Sequence, residues 1–271
     1  MTSLPRRPYR SVIVATDGSR LSRSALAGGA LLASQSKAEL YVFHAATSLD
    51  VEQSVLDQAA EVLGIQEHKM VVRDLDFEST PAEMIAEFAR ELGEETMVAV
   101  GTHGRGGVGL SVLGSTAIDL LARASQPIIA YGPESNSPIE IARVVACVDG
   151  SEFSELSIGE AARWANALAV PLWVIQVVRP YMPAKMGVFE TAYVHNLAKE
   201  VVGLQEKVEW DVLHSPSPAH SILDMYGKDS ATMLVMATHG RTGLERLLLG
   251  SVATGVVKGA WGPVVLVCPP Q

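Results

Sequence analysis

The sequence predicts an α/β fold: two tandem copies of a five-stranded parallel sheet, each doubly wound by helices. Three observations carry that prediction. Short apolar runs alternate along the chain with stretches whose apolar residues recur at helical spacing. Runs such as Val12-Ile13-Val14-Ala15 and Met97-Val98-Ala99-Val100 show little polar alternation, as strands buried on both faces of a parallel sheet do. The whole order then repeats. Asp17-Gly18-Ser19 returns as Asp149-Gly150-Ser151, and Thr102-His103-Gly104-Arg105 as Thr238-His239-Gly240-Arg241.

In the first copy, a strand ending near Thr16 stops at the turn and helix-start signal Asp17-Gly18-Ser19. Helical spacing covers 22–34, a strand 38–45 and a helix 51–63. The strand at 69–75 is less apolar and is expected near a sheet edge. Thr80-Pro81-Ala82-Glu83 places a threonine cap before a proline at the first helical position, opening a helix to about Leu92. The fourth strand, a glycine-rich stretch, a helix at about 115–125 and a strand at 127–131 complete this copy, residues 1–133. The turn-forming residues 134–140 read as a linker.

The second copy, 141–271, has strands at 143–147, 171–178, 208–213, 232–237 and 263–267. Its helices are expected at 155–168, 188–202, from Ser217-Pro218-Ala219 onward, and from Ser251 to about Gly259.

The chain has 271 residues, 48% of them hydrophobic, enough for two domains that each bury a core. A formal charge of −9 argues against non-specific nucleic-acid or anionic-membrane binding. A bound anion would need local backbone donors. Cys147 and Cys268 form no C-x-x-C pair, so a metal site or disulfide framework is not expected. Met1 to Arg10 lacks the apolar centre of a signal peptide and no apolar run reaches membrane-span length, so a cytoplasmic protein is expected.

The chemistry concentrates in the glycine-rich stretch. A strand that ends at Gly101 and passes through small residues into a helix at Ser115 leaves backbone N–H groups at the helix start. Those groups and the helix dipole favour an anion such as phosphate. Ser115 can cap the helix or offer its hydroxyl to a phosphate oxygen. His103 and His239 read as loop hydrogen-bonding residues rather than catalysts, and Arg105 and Arg241 as phosphate contacts or solvated surface residues. Gly104-Arg105-Gly106-Gly107-Val108-Gly109 spells a dinucleotide fingerprint but follows the fourth strand, and no acidic ribose partner stands at a strand end some twenty residues on. Gly109 to Ser115 resembles a P-loop without its lysine.

On these residues the chain resembles a tandem universal stress protein. That family's nucleotide motif is Gly, two residues, Gly, nine residues, Gly, then Ser or Thr; Gly101, Gly104, Gly114 and Ser115 fit at every position. The resemblance implies a Rossmann-like, adenine-nucleotide α-hydrolase-like fold that binds ATP, alone or with Mg²⁺. It implies contacts from Ala15, Thr16, Asp17, Gly18, Ala45, Gly101, His103, Gly104, Arg105, Gly114, Ser115 and Thr116. In the second copy it implies Asp149, Val177, Ala237, His239, Gly240, Arg241, Gly250, Ser251 and Val252.

Ala237 replaces the motif's first glycine. Its methyl group is expected to crowd a ligand, or to strain a backbone that needs positive φ, which leaves the second site open. The resemblance also implies pairing of the last strands, here within the chain, which satisfies otherwise open edges, and leaves a further homodimer open. An ATP-binding module whose occupancy alters conformation or partner binding is expected. The missing lysine and the lack of a base-plus-metal constellation disfavour a slow ATP-hydrolysing or adenylyl-transferring enzyme, and the intact first motif disfavours a nucleotide-free scaffold.

Overall fold

The computed structural model describes residues 9–46, 53–75, 79–102, 113–123, 126–136, 140–178, 186–202, 208–238 and 249–268. The first half contains β1 (Ser11–Ala15), α1 (Arg20–Ser36), β2 (Glu39–Ala46), α2 (Gln53–Leu63), β3 (Lys69–Asp74), α3 (Pro81–Leu92), β4 (Thr96–Gly101), α4 (Ser115–Arg123) and β5 (Ile128–Tyr131). The second contains β6 (Arg143–Val148), α5 (Glu152–Leu168), β7 (Leu172–Val178), α6 (Met186–Val202) and β8 (Val208–His214). It continues with α7 (Pro218–Ile222), β9 (Thr232–Ala237), α8 (Ser251–Gly259) and β10 (Val264–Val267).

All ten strands join one sheet in the order β3-β2-β1-β4-β5-β10-β9-β6-β7-β8. Strand pairs inside each half are parallel. The halves meet where β5 and β10 pair antiparallel, with Ala130 opposite Val264 and Ile128 opposite Leu266. The expected pairing of the two last strands within one chain is therefore present. The less apolar β3 lies at an outer edge, as its composition indicates.

The period of two in a strand sends alternate side chains to opposite faces. Val12 and Val14 join the core under α1 and α2, while Ile13 joins the core under α3 and α4. All three have no exposed surface. Burying such a side chain stabilises the fold by about 1.5–3 kcal/mol, so helices cover both faces.

Caps explain where the helices differ from their expected bounds. Ser19 and Ser151 accept N–H bonds from Ser22 and Ser154, so α1 and α5 begin before the first apolar residue of their stripes. Thr80 and Glu83 form a reciprocal capping box at α3. Ser217 makes no side-chain cap bond: its backbone, at φ −121° and ψ 87°, is turned away from the extended geometry that Thr80 takes at φ −101° and ψ 155°. The helix opened by Pro218 is only five residues long and passes into a π-helical turn, Leu223–Gly227. Leu223 packs against Gly227 and Gly259, where added Cβ atoms would fall 2.5 and 2.6 Å from its methyl groups.

Side chains also cross the seam. Tyr9, ahead of β1, donates its hydroxyl to Glu160 of α5 at 3.1 Å, and its ring lies 5.6 Å from Trp164. The Ile141 amide donates to Gln35 Oε1 of α1 at 3.0 Å. Burial raises the Glu160 carboxyl above its ordinary value, against the opposing pull of Arg163 and the Tyr9 hydroxyl. A carboxyl whose folded pKa is raised holds its proton more tightly in the folded chain. Its stabilising contribution is complete below the unfolded carboxylate pKa and is lost as pH climbs through the folded value. Urea unfolding of Glu160→Gln, compared with wild type from acid to neutral pH, should show the variant losing less stability as pH rises.

Candidate functional site

Strand order reverses between β1 and β4, which are parallel neighbours with Ala15 opposite Val100. Beyond the carboxyl ends of such strands lies the crevice where open α/β sheets place ligands. The turn Thr16-Asp17-Gly18-Ser19 leaves β1 there, and Gly101-Thr102 leaves β4 beside it. The Asp17 turn and Gly101-Thr102 therefore stand side by side at one crevice. In the second half β6 and β9 are paired in the same way, with Cys147 opposite Met236.

The β1 turn is built around Asp17. Its Oδ1 accepts the Ser19 N–H at 3.0 Å, and Gly18 takes φ 78°, a left-handed backbone that glycine adopts without strain. Asp149 repeats this: Ser151 donates both N–H, at 3.0 Å, and hydroxyl, at 2.6 Å, to Asp149 Oδ1. Thr16 is buried, and its Oγ1 accepts the Gly18 N–H at 3.2 Å. The Thr16 carbonyl accepts Nδ1–H of buried His44 at 2.9 Å. Gln58 of α2 donates Nε2–H to the Gly18 carbonyl at 3.3 Å. Ala45 stands one residue beyond His44 at the end of β2, and Val177 occupies the same place on β7; both are partly buried.

The sequence reading passed over Thr102 and Thr238, which organise the other side of the crevice. Both are almost fully buried. The Thr102 N–H donates to the Tyr131 carbonyl at the end of β5, at 3.0 Å, and the Thr102 carbonyl accepts the Gly114 N–H. Thr238 donates to the Val267 carbonyl at 3.0 Å and accepts from Gly250 at 2.7 Å. Each threonine thus ties a central strand, the seam strand and the start of a helix at one point. A buried threonine directly after an apolar strand is the signal that marks it.

The helices begin at Ser115 and Ser251, but glycine takes the capping position. The first intrahelical bonds run from Ile118 to the Gly114 carbonyl, at 3.0 Å, and from Thr254 to the Gly250 carbonyl, at 2.9 Å. Ser115 and Ser251 are first helical residues with exposed positions, not N-caps. Gly250 supplies no side-chain cap. The amides of Ser115 and Thr116, and of Ser251 and Val252, precede the first intrahelical bond and favour an anion. His103, Gly104, Arg105, His239, Gly240 and Arg241 lie outside the described residues.

Gly101 corrects one expectation. Its φ is not in the left-handed region; among described residues the positive-φ glycines are Gly18, Gly64, Gly93 and Gly150. An added Cβ would instead lie 2.8 Å from the Leu21 carbonyl carbon and 3.0 Å from the Ser22 nitrogen, in the first turn of α1. The position is constrained by helix packing rather than by left-handed strain. Ala237, itself buried, shows that the second half accepts a methyl group there. Gly101→Ala should destabilise the chain by about 1–3 kcal/mol, since backbone cannot rotate aside as a side chain would. Chemical denaturation checks this, with Ala237→Gly expected to fall well short of that loss.

Burial raises the Cys147 thiol to about 12 and Cys268 to about 11, which disfavours the thiolate at neutral pH. Among described residues no group of three potential ligands is placed to hold a metal ion. No described helix is long and apolar enough to cross a membrane.

Comparison with known proteins gives this geometry its context. Universal stress protein Rv2005c of Mycobacterium tuberculosis is 27% identical over 297 residues, spanning 97% of this chain and 98% of its own. Universal stress protein MJ0531 of Methanocaldococcus jannaschii is 34% identical over 142 residues, covering 48% of this chain and 83% of its own. A crystal structure of a universal stress protein from Archaeoglobus fulgidus superposes with a TM-score of 0.67 at 16% identity, covering 97% and 99% of the two chains, and shares the fold. The model of the Universal stress protein family matches residues 8–131 and 140–267. With two copies of that domain spanning nearly its whole length, the chain belongs to the universal stress protein family.

Proposed function

We propose that the chain binds ATP, alone or with Mg²⁺, and that occupancy of its strand-loop-helix sites alters conformation or partner binding. One observation carries the reading: the Asp17 turn and the glycine-capped start of α4 flank the same switch-point crevice. The functional units are residues 1–133 and 141–271, joined by 134–140. Phosphates are received by the amides of Ser115 and Thr116, the Ser115 hydroxyl and the motif residues Gly101, His103, Gly104, Arg105 and Gly114. Adenine and ribose lie toward Ala15, Thr16, Asp17, Gly18 and the backbone at Ala45.

The second half offers Asp149, Val177, Ala237, His239, Gly240, Arg241, Gly250, Ser251 and Val252. The packing role of Gly101 supports a working second site, because Ala237 then takes no space from phosphate. The chain's own part is to bind and orient. Glycines keep side chains away from the anion, and amides fixed by the Thr102 and Thr238 junctions need little rearrangement to receive it.

Four or five hydrogen bonds to charged phosphate oxygens, at about 1.5–3 kcal/mol each, oppose an association cost of about 4–15 kcal/mol. With adenine burial the net is about −8 kcal/mol, a micromolar Kd. Calorimetry on the nucleotide-free chain should show ATP uptake on this scale. Gly114→Glu should abolish the first-half component, and phosphate release should not exceed that of this variant. An absence of uptake, or release well above the variant, would overturn the reading.

A further inference from the structure

We propose that each half's phosphate-side helix is positioned by a residue of the other half: Gly132 sets α8, and Cys268 sets α4. The inference rests on the nucleotide reading above. Gly132 follows β5 directly, yet it touches the second half. An added Cβ there would fall on the Val257 carbonyl oxygen in the last turn of α8. The segment beyond it stays on that helix end. The Ser135 hydroxyl donates to the Ala260 carbonyl at 3.5 Å, and the Asn136 amide to the Trp261 carbonyl at 2.8 Å. Carbonyls at a helix C-terminus lack intrahelical partners, and here the first half supplies donors just past the end of α8.

The reverse contact repeats it. Cys268 follows β10 directly, and its thiol donates to the Leu121 carbonyl in the last turn of α4, at 3.8 Å. Gly132 and Cys268 are equivalent positions in the two copies, as are Val257 and Leu121. The contact is thus made twice, once in each direction across the seam.

Both helices are nine residues long. From Val257 back to Ser251 is about 9 Å at the α-helical rise. A rod this short moves as a unit, so displacing its last turn displaces the amides at its first. Tyr131 and Val267, the residues before Gly132 and Cys268, are those whose carbonyls hold Thr102 and Thr238. Each seam strand therefore anchors its own half's loop base through one residue and the other half's helix through the next.

The test uses the full chain in two backgrounds, Gly114→Glu to leave the second-half site and Gly250→Glu to leave the first. Gly132→Ala should weaken ATP binding about threefold or more at the second-half site and leave the first unchanged. Cys268→Phe, which crowds the last turn of α4, should do the opposite. Cys268→Ser keeps the size and the donor and should match wild type. A loss confined to the mutated residue's own half, an equal loss in both, or no loss would overturn the proposal.

Amide hydrogen exchange on the nucleotide-free chain reads the same geometry without ligand. Gly132→Ala should speed exchange at 251–257 and not at 115–121, with Cys268→Phe reversing the pattern. Exchange altered only in the mutated residue's own half would overturn it. If the wild-type chain takes up no ATP, the nucleotide reading fails, and the exchange pattern still decides whether the helices are positioned across the seam. If Gly132→Ala does not fold, the Cys268 pair decides alone.

Discussion

The structure depends on a buried backbone junction made twice. At Thr102 and at Thr238 one residue donates to the seam strand and accepts from the glycine that starts α4 or α8. Main-chain groups so deeply buried must find partners, because an unmade bond there costs the full desolvation of the group. That requirement holds the end of β4 to β5 and the end of β9 to β10, and it fixes where α4 and α8 begin. The crevice owes its shape to these bonds more than to any side chain lining it.

Much of this was legible in the sequence. Strands buried on both faces read as apolar runs, and the starts of α4 and α8 follow from a glycine before a serine. Thr80-Pro81-Ala82-Glu83 spells its own capping box. At Ser217-Pro218 the same signal marks the helix start correctly, and α7 begins there, but the backbone of Ser217 departs from capping geometry, which no window of four residues reveals.

What stayed hidden acts at a distance or through the main chain. Gly101 is required by the approach of Leu21 and Ser22, about eighty residues earlier in the chain and brought close by the parallel crossover. A turn requirement would have been local; this one depends on where α1 lands. Thr102 works through its N–H and carbonyl, which every residue but proline offers, so side-chain identity says little of its role. Glu160 likewise appears as one more helix carboxylate until the packing of Tyr9 and Trp164 removes it from water.

The antiparallel seam has a consequence for how the two copies change over time. In a symmetric pair of identical chains, every substitution appears twice, and both copies must tolerate it together. Fusion through a covalent connection keeps the partners at a fixed one-to-one ratio whatever the concentration, while each sequence drifts alone. Gly28 beneath the Tyr131 ring faces a different fate from Glu160, its counterpart on α5. The chain is in effect a heterodimer with itself, free to keep one copy conservative while the other takes on a separate task.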